Sequence, residues 1–202
     1  VTRIFMKISI DKIILVTALH TNEIQRIINK YPNRKNSYFH YSYFQKKPSF
    51  FAVFIQPRNY YVLRHYNTLF SFNPTNPPVE ALDIFKMIPA HRWMVKRLDI
   101  AFDFVTPLEE TFLLAPPTRL QKKRVGDTQY FGAVNSKMKV CLYNKSKQLK
   151  DVYGITSIYP LTRVEFRFTP KLKPLTDYSH LDFKGMKNYY FVPNTRELRG
   201  FR

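Results

Sequence analysis

The chain has 202 residues, is 45% apolar, and carries 33 Lys and Arg against 14 Asp and Glu, a formal net charge of +19. That length suits one domain, or one domain with a tail, and the apolar content supports a packed core and excludes wholesale disorder. The charge excludes an ordinary metabolic enzyme and points to a polyanionic partner, nucleic acid before a membrane surface, since no long amphipathic basic helix stands out.

Lys7 to Thr17 reads as a first strand. His20 to Lys30 has Ile24, Ile27 and Ile28 at helical spacing, with Thr21 or Asn22 as N-cap and Tyr31-Pro32-Asn33 as its end. Tyr38 to Phe44, Phe50 to Gln56 and Tyr60 to Tyr66 alternate as strands joined by the short loops Gln45 to Ser49 and Pro57 to Asn59, an antiparallel meander. Phe72 to Val79 holds three prolines and reads as a loop, and Pro78 to Met87 as a helix stopped by Pro89. Val95 to Val105 is a strong strand. Thr106 to Arg124 predicts a short helix and then a loop. Gln129 to Phe131 and Lys137 to Asn144 pair around a turn at Gly132 to Ser136. Ser146 to Val152 begins a helix capped by Gly154, and Leu161 to Phe168 is a strand. Pro170 to Pro174 marks a boundary, and the tail from Leu175 to Arg202 has no period.

Runs of strands with short connections predict an α+β fold: a central antiparallel β-sheet with helices packed mainly on one face. Ile8 to Ile13 and Arg97 to Phe102 are weakly alike, which allows a pseudo-duplicated unit. The expected organisation is one main domain over residues 1–170 and a C-terminal extension over 171–202, packed on the same domain.

Cys141 is the one cysteine, so no intramolecular disulfide forms and no zinc finger exists; this agrees with a cytoplasmic protein. No stretch reaches membrane-spanning length, and the first residues read as a strand rather than a secretory signal. There is no P-loop and no GxGxxG, which argues against helicase, kinase or dinucleotide chemistry. The five histidines, His20, His40, His65, His91 and His180, contain no His-x-His pair. Basic residues interleave with aromatics from Lys35 to Lys47, a pattern suited to neutralising a nucleic-acid backbone and stacking bases. Many of the 18 Phe and 14 Tyr are equally suited to a β-sheet core.

Three strands concentrate the chain's scarce acids beside a tyrosine and cations. In Arg97 to Phe104, Lys139 to Lys145 and Thr162 to Phe168, the apolar Leu98, Ile100, Phe102, Val140, Leu142, Val164, Phe166 and Phe168 face a core. Asp99, Asp103, Tyr143, Arg163, Glu165 and Arg167 then face the other way, and Asp99, Tyr143 and Glu165 are expected to converge on one exposed face. Asp99 and Asp103 stand about 13 Å apart along a regular strand and do not share one ion. Asp99 with Glu165 is therefore the better ligand pair, and Asp103 takes a different role. The alternative is that these carboxylates pair with Arg163 or Arg167 across the sheet. A phenol ionises near pH 10, so Tyr143 as a nucleophile requires a nearby cation such as Lys145 or a divalent metal. Asp11 on the first strand is the next metal candidate.

Arg97-Leu98-Asp99-Ile100-Ala101-Phe102-Asp103, Tyr130-Phe131-Gly132, Leu142-Tyr143-Asn144-Lys145 and Arg163-Val164-Glu165-Phe166-Arg167, in that order, resemble the Rep_trans family of rolling-circle replication initiators and related conjugative-element relaxases. The resemblance spans residues 95 to 170. It implies that Tyr143 is the nicking tyrosine, assisted by Lys145 and Arg163. It also implies that Asp99 and Glu165 contribute to a Mg²⁺ or Mn²⁺ site; Asp103 is a further ligand candidate where the strand bends or bulges. The implied activity is nicking of single-stranded DNA, or of an extruded hairpin, at an origin through a 5′-phosphotyrosine. The implied partners are DNA, a host helicase and a second copy of the chain, with no membrane. The family usually has acids where Asn144 and Gln148 stand, and a basic-Ser pair where Ala133 to Ser136 stands. A relaxase with the same chemistry, or a non-catalytic basic module that stacks bases on Tyr and Phe, are the rival readings.

Overall fold

A computed structural model describes residues 6–34, 36–45, 49–59, 65–116, 123–133, 136–177 and 186–192. The fold is α+β and forms two compact units. One (the catalytic-candidate unit) contains residues 1–9, 99–169 and 182–202; the other (the meander unit) contains 10–98 and 170–181. The chain crosses between them within its first strand, within the strand Met94–Val105, after Thr169 and after Leu181.

In the meander unit the strands run in the order β2 (Phe39–Gln45), β3 (Phe51–Pro57), β4 (Thr68–Phe72) and β1 (Met6–Thr17, here from Ile10). The ladders are antiparallel and their register lines up one face: Tyr43 with Val53 with Phe70 with Leu15, and Tyr41 with Ile55 with Thr68 with Thr17. Helix α1 (Thr21–Lys30) turns Ile24 and Ile27 inward, and α2 (Val79–Met87) buries Ala81 and Ile84. Tyr31, just past α1, stacks on Tyr43 with centroids 5.0 Å apart. Phe85 of α2 meets Phe70 at 5.5 Å, and Trp93 meets Phe70 at 5.3 Å. These rings lay both helices on the same sheet face, as the strand periodicity demands. The Arg92 guanidinium grips both oxygens of Glu23, and Glu23 also accepts from the His20 amide at α1's start.

The expected strand at Tyr60 to Tyr66 lies largely outside the described residues. The fourth strand of the meander is Thr68–Phe72, which the sequence left unassigned up to the proline-rich loop.

In the catalytic-candidate unit the order is β5 (Met94–Val105, here from Asp99), β10 (Leu161–Phe168), β9 (Met138–Asn144), β8 (Thr128–Phe131) and β7 (Lys123–Val125). The ladders from β10 to β7 are antiparallel. One face buries Phe104, Phe131, Met138, Val140, Leu142, Val164 and Phe166. A separate two-stranded sheet, β6 (Phe112–Leu114) with β11 (Tyr190–Val192), packs Leu113 and Phe191 on that core. Among the described residues of Thr106 to Arg124 there is a 3₁₀ turn at Leu108–Glu110, the strand β6 and the start of β7, where the sequence predicts a short helix and a loop. Strands of three residues are too short to declare a period.

Gly132 closes the β8–β9 connection at φ +98°, where a Cβ would stand 3.1 Å from the Met138 carbonyl oxygen. Only glycine fits that turn without strain.

Candidate active site

The site is built on the register of β9 and β10. Tyr143 pairs with Arg163, Cys141 with Glu165 and Lys139 with Arg167, while Val140, Leu142, Val164 and Phe166 enter the core. Period-two alternation therefore puts Tyr143, Glu165 and Arg167 on the opposite face. Tyr143 and Glu165 are diagonal neighbours across the ladder. The Tyr143 hydroxyl donates to Glu165 Oε2 at 3.0 Å, and Arg167 Nε donates to Glu165 Oε1 at 2.5 Å. Burial works against the Arg167 charge, but Glu165, Cys141 and Asp99 more than offset it, so the guanidinium is held above its ordinary value. Asp99 on β5 thus acts in the same field.

The face is polar but it is not exposed. Asp99 is 1% accessible, Glu165 4% and Tyr143 7%. Directly after β9 the chain folds back beside this face as helix α3 (Lys145–Gln148) and continues as a π turn (Leu149–Tyr153), and α3 packs on β10. Asn144 caps α3, its Oδ1 accepting from the Lys147 amide at 2.9 Å. An amide serves there as well as a carboxylate. Gly154, at φ +69°, ends the turn, as the sequence predicts.

A cavity of about 310 Å³ remains between this segment and the strands. Tyr143, Arg167 and Tyr130 line it from the sheet. Asn144, Lys147, Gln148, Asp151 and Val152 line it from the returning segment, and Asp127 and Thr128 from the hairpin. The nucleophile candidate and its neighbouring cation therefore share one opening.

The other predicted residues lie apart from that opening. Arg163 Nε and Nη2 donate to Asp103 Oδ1 and Oδ2 at 2.5 and 2.7 Å, a largely buried bidentate pair. Lys145 Nζ donates to Gln148 Oε1 at 2.7 Å. Among the described residues the cavity lining includes neither Arg163, Asp103 nor Lys145. Arg167, named from sequence only as a counter-ion, reaches the cavity, as does Lys147, which is paired with Asp127. The signal for Arg167 was its parity with Glu165 on β10.

As they are arranged, Asp103 and Glu165 do not fit the expected Mg²⁺ or Mn²⁺ site. Both oxygens of Asp103 are engaged by Arg163, and those of Glu165 by Arg167 and Tyr143. Among the described residues no group of three His, Cys, Asp or Glu is placed to hold a metal ion. Asp11 on β1 belongs to the other unit.

No helix among the described residues is long and apolar enough to cross a membrane. No family model matches the chain, and neither does any curated protein. Among solved structures, it is similar to a rolling circle replication initiator protein from Geobacillus stearothermophilus at 14% identity and a TM-score of 0.45, covering 82% of this chain and 75% of that one. At that identity and TM-score the likeness carries no residue-level correspondence.

Proposed function

We propose that the catalytic-candidate unit nicks and rejoins single-stranded DNA through Tyr143. The observation that carries this reading is the Tyr143 hydroxyl, 3.0 Å from a carboxylate and sharing a cavity with Arg167, in a chain of net charge +19. A phenol needs an acceptor for its proton and a cation beside the phosphate it attacks. Glu165 Oε2 is the acceptor. Arg167 holds Glu165 in place through Oε1 and presents positive charge where a phosphate would enter. In the forward step the Tyr143 oxygen bonds to phosphorus and its proton passes to Glu165. The bond from phosphorus to the 3′-oxygen breaks, and that oxygen takes a proton from water. The 5′-phosphate stays on Tyr143. The reverse step rejoins the strand.

At a replication origin the released 3′-hydroxyl would prime synthesis and a host helicase would extend the opening. A relaxase of a mobile element would use the same step. A second reading, a non-catalytic nucleic-acid-binding module, is favoured by one observation: Tyr143 is 7% accessible and its hydroxyl is already bonded.

The test is covalent capture. Labelled single strands tiled across the replicon that carries the gene are incubated with the protein and Mg²⁺ or Mn²⁺, then denatured. A denaturant-resistant adduct mapped to the Tyr143 peptide is expected. An adduct on Tyr130 or Tyr153 would keep nicking and discard Tyr143 as nucleophile. No adduct from any strand, with folding intact, would leave the binding module.

A further inference from the structure

We infer that the meander unit carries its own binding site for a single-stranded DNA backbone, in the cleft formed where Pro32 to His40 meets Arg58. This rests on the reading of the protein as a DNA-acting one but not on the nicking centre, whose residues all belong to the other unit.

The cleft has a volume of about 480 Å³ and is open on one side. Arg34, Arg58 and His40 line it, with Asn33, Asn36 and Ser37; none of the described lining residues is acidic. In a chain with 14 acids and 33 Lys and Arg, some basic patch is expected. Three features separate this one from an ordinary solvated surface.

First, the cleft is held by backbone bonds. The Arg34 amide donates to the Ser42 carbonyl at 2.7 Å, and the Arg58 amide to the Tyr38 carbonyl at 2.9 Å. Asn33 Oδ1 accepts from the Ser42 amide at 3.0 Å, and Asn36 Oδ1 from the Tyr38 amide at 2.8 Å. The two arginines thus project from fixed points on either side of one opening.

Second, the Arg34 guanidinium lies 5.6 Å from the Tyr43 ring centre and 5.2 Å from that of Phe44. Ring faces hold the cation in position without neutralising it, which a carboxylate would do.

Third, Tyr38 is next to the lining and 70% accessible, while its neighbour Phe39 is buried against Phe54. A large ring left in water beside a cation cluster is the arrangement that stacks a base while the cations take its phosphate. The size of the cleft suits a nucleotide unit rather than a bare ion. Tyr38 and His40, in the described part of the basic and aromatic run, thereby acquire a use that the nicking centre does not explain.

The test uses the full chain and a labelled oligothymidylate, read by fluorescence anisotropy over a salt series. Each phosphate contact to a single strand contributes roughly 0.7 to the slope of log affinity against log salt. Arg34→Ala with Arg58→Ala should therefore lower the slope by about 1.4 and weaken binding at low salt on the order of tenfold or more. Arg58→Ala alone, at an exposed position with no ring contact among the described residues, covers the case in which losing Arg34 disturbs the fold. It should give half the slope change. Tyr38→Ala should weaken binding with the slope unchanged, as loss of stacking does. Unchanged affinity and slope in the folded Arg58 variant would overturn the proposal, and so would a loss confined to oligouridylate. A missing adduct on the wild-type chain would count against nicking and leave this result standing.

Discussion

Tyr143 and Glu165 are not directly opposed on their ladder; they are offset by two residues, and that diagonal brings the hydroxyl within 3.0 Å of the carboxylate. Direct opposition is occupied by Tyr143 and Arg163, yet Arg163 turns to Asp103 instead. The polar face is thereby divided into two charge groups, one with a phenol and a cavity, and one a closed ion pair.

The first group predicts a sharp contrast between two variants. Tyr143→Phe removes one buried hydrogen bond and should cost about 1 kcal/mol in denaturant unfolding while abolishing the covalent adduct. Glu165→Gln keeps the volume but removes the proton acceptor and the Arg167 counter-ion. Adduct formation should fall about 100-fold or more, the ordinary worth of a general base. Adduct formation at the wild-type rate in Glu165→Gln would remove Glu165 from the chemistry.

The second group predicts a stability effect. Asp103→Ala leaves the Arg163 guanidinium buried without its bidentate partner, a change that costs about 3 to 5 kcal/mol in comparable sites. The double variant Asp103→Leu, Arg163→Met should recover most of it. Adduct yield per folded molecule should stay within a few-fold of wild type in both. If Arg163→Lys unfolds at the wild-type denaturant concentration yet makes no adduct, Arg163 belongs to the chemistry after all.

Alternation in β9 and β10 was enough to put Tyr143 and Glu165 on one face, because a strand's period is local. Their burial was not legible. Nor was the return of Lys145 to Tyr153 beside the face, a matter of Asn144 capping and a π turn that leave only weak marks in the sequence. Which arginine takes which acid was also out of reach, since Arg163 and Arg167 share parity and only strand neighbours decide between them. The helices declared themselves through Ile24, Ile27 and Pro78. The strand Thr68–Phe72 did not, because the tyrosine-rich run before it competed for the same hairpin.

Two glycines give a graded test of the hairpins flanking the cavity. Gly132→Ala faces both φ +98° and the Met138 carbonyl oxygen at 3.1 Å, and should cost about 1 to 3 kcal/mol. Gly126→Ala sits at φ +56° with no atom within 4 Å of its new Cβ, and should cost about 1 kcal/mol, near the lower end of the left-handed penalty. Equal losses in thermal unfolding would show that the Met138 approach relaxes without cost.

Alkaline pH should weaken the meander unit through Tyr41. Its hydroxyl is buried and donates to the Tyr31 carbonyl at 2.5 Å, and burial, with Tyr43 adding to it, pushes its pKa up to about 12. Burial raises Tyr31 as well, helped by Asp83 and Glu80. An unfolded tyrosine ionises near 10. The folded pKa is the higher one, so the folded state binds the proton more tightly than the unfolded state does. The stabilisation is full below about pH 10 and is lost as pH rises through about 12. Denaturant midpoints followed across that window should therefore fall steeply. Tyr41→Phe should start lower at neutral pH by about 1 kcal/mol, because the Tyr31 carbonyl loses a donor. It should then fall less steeply, because one of the two perturbed phenols is gone. Near-ultraviolet phenolate absorbance supplies the independent check: ionisation of the folded wild type should lag behind that of the denatured chain. If the midpoint of Tyr41→Phe falls as steeply as that of wild type, the alkaline weakness lies in another group, with Tyr31 the first to substitute.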